Sequence, residues 1–112
     1  MIFISYSWRD HPTVKVIESF LIHNSAEYWI DRKNLDLSGC IKSQIKFALQ
    51  QSDCVLHLAS ESSRSSPWVR YETKTATMLG KEILELDLED NSFKPNNTLH
   101  SDKLFAALLI RR

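Results

Sequence analysis

The chain has 112 residues, 43% of them hydrophobic and 25% charged, which suffices for one hydrophobic core and is ordinary for a globular domain in water. Fourteen basic and fourteen acidic residues cancel, so no long-range field draws it to nucleic acid or to an anionic membrane, and neither is expected as a partner. Cys40 and Cys54 make no C-x-x-C pair and no disulfide framework, Met1–Ser5 is too short for a signal peptide, and no apolar stretch approaches a membrane span; two reduced, semi-buried thiols and a cytoplasmic location are expected.

The run Ile2-Phe3-Ile4-Ser5-Tyr6 predicts a buried strand. Asp10, His11 and Pro12 open a helix that carries Val14, Ile17, Phe20 and Leu21 on one stripe. Tyr28-Trp29-Ile30 predicts a brief second strand ending at Asp31. A polar loop from Asp31 to Ser38 then leads through Gly39 into a helix with Ile41, Ile45 and Leu49 at four-residue spacing. Cys54–Ala59 is apolar except for His57, as in a central strand covered on both faces. Ser66 is a natural cap and Pro67 suits a first helical position, so a helix starts near Ser66 and runs to Leu79, with Gly80 as its stop. Leu84, Leu86 and Leu88 alternate with Glu85, Asp87 and Glu89, which suits a strand near a sheet edge. A polar loop over 90–97 precedes a last helix capped by Ser101, with Leu104, Phe105, Leu108 and Leu109 on its apolar stripe.

Strand–helix alternation of this length predicts a single α/β domain over residues 1–112: a flavodoxin-like three-layer sandwich with helices on both faces of a parallel sheet. The sheet has four strands, or five if the atypical or trimmed region after about residue 90 adds one, in the order 2-1-3-4. Ligands in such sheets bind beyond the carboxyl ends of the strands, at the switch between the first and third. Ser5–Arg9, the Asp31–Ser38 loop and Ser60–Glu72 all lie at that end.

Trp68 and Glu72 are four apart and so share a helical face. They are either a core anchor beside a solvated carboxylate or an aromatic–acid pair on the functional rim, and their place at the switch favours the second. Neighbouring chemistries are excluded by residue type. Leu58-Ala59-Ser60 stands where a phospho-acceptor receiver needs an aspartate. The two glycines of the whole chain cannot build a phosphate cradle. The histidines and cysteines show no zinc spacing, and no metal or cofactor is expected. His57 reads as a satisfied core or rim histidine, and Ser62–Ser66 as a capping and turn segment without a His/Asp partner. Trp8 and Arg9 read equally as surface residues or rim contacts.

Three stretches are familiar in register. Phe3-Ile4-Ser5-Tyr6-Ser7, with a basic residue and Asp10 following, resembles the first motif of Toll/interleukin-1 receptor (TIR) domains. Trp29-Ile30-Asp31 through Gly39 is similar to that family's second strand and loop, with Ser38 in place of the usual proline. Ser60–Glu72, ending in W-x-x-x-E, is similar to its third-strand exit and third helix. The resemblance spans residues 1 to about 90. It implies cleavage of NAD⁺, as substrate, at the nicotinamide N-glycosidic bond, with Glu72 as catalytic carboxylate and Trp68 beside it. It further implies that Ser5, Tyr6, Ser7, Asp31, Asn34, Gly39 and Ile41 border the nucleotide, Asn34 standing where some family enzymes carry lysine.

One carboxylate suffices for that reaction, because nicotinamide is cationic in NAD⁺ and leaves as a neutral base. The resemblance therefore implies an NAD⁺ nucleosidase giving nicotinamide and ADP-ribose or a cyclic isomer, in bacterial antiphage defence, with self-association between TIR domains. Its trigger, a sensor domain or a separate sensor or effector protein, is left open. The alternative is a non-catalytic adaptor acting by self-association or by mimicry of host signalling.

Overall fold

The computed structural model describes residues 1–89; the loop predicted over 90–97, the helix predicted over 101–110 and any fifth strand lie outside the described residues. Four parallel strands, β1 (Ile2–Ser5), β2 (Tyr28–Trp29), β3 (Cys54–Ala59) and β4 (Glu82–Asp87), stand in the order β2-β1-β3-β4. This is the predicted order. Residues Phe3, Trp29 and Val55 are in register across three strands, as are Ser5 and His57.

The helices are α1 (His11–His23), α2 (Asp31–Asn34), α3 (Ile41–Gln51), α4 (Glu61–Ser65) and α5 (Pro67–Met78), with a 3₁₀ turn at Trp8–Asp10 before α1. Val14, Ile17 and Leu21 of α1 bury the predicted stripe against Ile2, Ile4, Leu56 and Leu58 on one sheet face. On the other face Ile45, Ala48 and Leu49 of α3 and Ala76 of α5 pack on Phe3, Trp29 and Val55. Phe3 and Trp29 stack with ring centroids 4.8 Å apart. Gly80 ends α5 with φ +72°, a left-handed conformation that a Cβ would strain. Among the described residues no helix is long and apolar enough to cross a membrane.

Three local expectations change. The predicted polar loop begins as the one-turn helix α2, in which the Asn34 side chain accepts from the Ile30 backbone N–H at 3.0 Å. One turn is too short to display an apolar period, so periodicity could not reveal it. The serine segment is likewise helical: Ser60 and Ser63 exchange side-chain and backbone bonds as a capping box for α4. The thiols differ too. Cys54 is fully buried in the central strand, whereas Cys40 is exposed just ahead of α3, where the Ser43 hydroxyl donates to its Sγ and lowers its pKa.

Candidate active site

At the carboxyl ends of the strands lies a cleft of about 920 Å³, walled by the 3₁₀ turn, the chain after β2, the start of α3, and α4–α5. That size suits a ligand larger than a single base. The strands explain why it is polar at its base. Phe3 and Val55 are core residues, and two positions further along the same strand faces come Ser5 and His57. The apolar layer therefore ends one residue pair before the strands do.

Glu72 sits at the floor. Val69, Glu72 and Ala76 form the inward stripe of α5, at the i, i+3, i+7 spacing of a core-facing helix, so a carboxylate occupies a core position. Only 6% of the residue is exposed, and the Ser5 hydroxyl, itself fully buried, donates to Glu72 Oε1 at 3.1 Å. Burial first, and the nearby Asp31 carboxylate second, push the Glu72 pKa up to about 8, with the Ser5 hydrogen bond pulling the other way. The Glu72 carboxyl is therefore largely neutral at pH 7.

Trp68 occupies the mouth. It is 48% exposed and meets Tyr71 edge-on at 6.2 Å. Neither half of the core-anchor reading survives: the tryptophan is out and the glutamate is in. Glu72 also lies deeper than the rim position expected from the sequence. The Ser66 hydroxyl accepts from the Val69 N–H at 3.3 Å and starts α5 where the sequence predicted.

The opposite wall is Tyr6, Ser7, Trp8, Arg9 and Asp31. Asp31 Oδ2 accepts from the Trp8 indole N–H at 2.8 Å and Oδ1 from the Arg32 backbone N–H at 2.6 Å. Burial first, and the Asp31 carboxylate second, hold the Tyr6 phenol above the usual range. Ser7 caps the 3₁₀ turn by accepting from the Arg9 N–H at 3.3 Å.

Of the residues singled out in the sequence, Glu72, Trp68, Tyr6, Ser7, Asp31 and Ile41 line the cleft. Ser5 lies behind Glu72 and acts through it. Asn34 caps its own helix, and Gly39 sits in a turn donating its N–H to Asp36 at 3.1 Å; neither is part of the lining. His57 is half-buried against the Ser63 hydroxyl at 3.1 Å, as a satisfied rim histidine should be. Trp8 and Arg9 resolve as rim contacts. Glu61, Leu35 and Leu37 complete the lining and were not anticipated. The only signal for Glu61 was its place two residues past the central strand. Asp31 and Glu61 join Glu72 in the cleft, with Arg9 as a cationic residue of the described lining.

The family model of the TIR domain matches residues 2–109. This chain belongs to the TIR domain family. A TIR domain of the Toll-related receptor TRR-2 from Hydra magnipapillata superposes with a TM-score of 0.75 over 96% of each chain at 13% identity, which supports the fold. "Putative cyclic ADP-D-ribose synthase TIR2" from Cytobacillus dafuensis is 27% identical over 108 residues, 90% of this chain. The match spans 28% of that protein's length. The TIR cleft described above falls wholly within the matched residues.

Proposed function

We propose that this TIR domain cleaves NAD⁺ between nicotinamide and ribose. The observation that carries the reading is Glu72: a carboxyl at the floor of a dinucleotide-sized cleft, buried at a core position, with a serine hydroxyl for a partner. Such burial is a standing stability cost, and a pure scaffold gains nothing from it. The bacterial relative named as a cyclic ADP-D-ribose synthase adds support.

The chemistry follows from charge. The nicotinamide ring of NAD⁺ is cationic, and its approach favours ionisation of Glu72. As the C1′–N bond breaks, the positive charge passes from the ring to the ribose, and the ionised carboxylate stabilises the oxocarbenium-like sugar in a site of low dielectric. Nicotinamide departs neutral, so no general acid is needed. Attack on C1′ by water then gives ADP-ribose and a proton; attack by a nitrogen of the adenine gives a cyclic isomer. Ser5 orients the carboxylate, and Trp68 excludes water at the mouth.

The same reading includes self-association, with the 31–39 segment of one copy meeting the cleft mouth of the next. Exposed Leu37 on that segment and Trp68 at the mouth supply apolar surface, and zero net charge gives little repulsion. The test is direct: incubate the protein with NAD⁺ across nanomolar to high micromolar concentration and quantify nicotinamide. Nicotinamide release that rises per molecule with concentration is expected. No release at any concentration from protein that melts cooperatively would remove the enzymatic reading.

A further inference from the structure

Trp8 is an odd residue to hold still. It is 69% exposed, so packing does not fix it, yet the segment that carries it is pinned at three points. Its indole N–H is bonded to Asp31 across 23 residues of sequence, Ser7 caps its turn, and Asp10 at the end of the turn accepts from the Ser60 hydroxyl beyond β3. The face of a large aromatic ring is thus presented at the cleft wall with little freedom of its own. The surroundings are acidic: Asp31, Glu61 and Glu72 line the cleft against Arg9. An indole whose N–H is given to a carboxylate is richer in π-electron density, and Trp is the strongest cation-binding ring among the side chains.

We propose that Trp8, latched by Asp31, is a substrate-contacting residue whose indole face stacks on the cationic pyridinium ring of the dinucleotide. The inference rests on the NAD⁺ reading for the identity of the ligand. It assigns Trp8 to the ground state, because the ring loses its charge as the glycosidic bond breaks. Asp31 is then the positioning residue that aims the indole.

The experiment uses nicotinamide mononucleotide and its reduced form, which differ in the charge and saturation of the ring, titrated into protein carrying Glu72→Gln so that nothing is consumed. Adding Trp8→Ala should weaken binding of the oxidised form about tenfold and of the reduced form less than twofold. Trp8→Phe should recover part of that difference. Asp31→Asn, which keeps an acceptor for the indole, should preserve the preference for the oxidised ring, and Asp31→Ala should lose it. With Glu72 intact, Trp8→Ala should raise KM for NAD⁺ about tenfold and leave kcat within a factor of about two. Equal losses for both ring forms, or no loss in a folded variant, would overturn the inference. Charge-selective binding through Trp8 in a protein that releases no nicotinamide would sustain this contact while removing the activity; cleavage with a ring-indifferent Trp8 would do the reverse.

Discussion

Two glutamates of this domain are buried to the same degree, Glu18 in α1 at 4% exposure and Glu72 in α5 at 6%, and they live in opposite surroundings. Glu18 is ion-paired with Arg32, lies 3.3 Å from Lys33 Nζ, and accepts from the Tyr28 hydroxyl at 2.8 Å. Its charge is spent on tying α1 to β2 and α2, the segment that also carries Asp31. Glu72 has a neutral hydroxyl on one side and a second carboxylate nearby. A buried acid with cations around it is a fastener. A buried acid with no cation among its described partners keeps a raised pKa, and the difference lies in the neighbours.

The comparison breaks most easily through the reaction. Glu72→Gln keeps shape and the Ser5 contact but removes the charge, and should lower nicotinamide release by about two to three orders of magnitude. Wild-type turnover in that variant would mean that the unpaired acid is not catalytic. Glu18→Ala tests the other half. Removing one partner of a buried ion pair leaves Arg32 and Lys33 uncompensated; because both reach water, the expected loss is about 2–3 kcal/mol. That corresponds to a fall in melting temperature of roughly 10 °C or more. An unchanged melt would show that the pairing fastens nothing.

The pH dependence of stability sharpens the contrast. Below its unfolded pKa of 4.5 the Glu72 carboxyl is neutral in both states and costs nothing as a charge. As pH rises toward about 8 the unfolded chain ionises while the folded one resists, and the penalty grows to roughly 4–5 kcal/mol above that value. Glu72→Gln escapes it. The melting temperature of the variant relative to wild type should therefore climb between pH 5 and pH 9, and a flat difference would mean that Glu72 is ionised in the cleft throughout. A smaller effect is kinetic: kcat/KM for NAD⁺ should rise with pH to a plateau above about 8, the free-enzyme value for Glu72. Asp31→Asn removes a charge that raises that pKa and should move the rising limb to lower pH. No displacement would mean that the two carboxylates do not sense one another.

Much of this molecule could be read along the chain. The order of elements follows from local periodicity, and the strand order and the end of the sheet that bears the cleft from the flavodoxin-like pattern that strand–helix alternation suggests. The caps at Ser66 and Gly80 are equally local, because a side chain serves a backbone group within a few residues. Spacing from Trp68 singled Glu72 out, and the TIR resemblance made it the candidate carboxylate. What the spacing could not supply was the phase of the helix against the sheet. Turning α5 so that Val69, Glu72 and Ala76 face inward puts Trp68 at the mouth; a rotation by one residue would have done the opposite. That phase is set by packing on β1 and α3. The same holds for Trp8 with Asp31 and for Glu18 with Arg32, pairs far apart in sequence whose bonds exist only once the sheet brings β1, α1 and β2 together. Sequence determined which groups are present and at which end of the fold. Tertiary structure decided which glutamate meets cations among the described residues and which meets a hydroxyl and a second carboxylate, because charge acts through space and not along the chain.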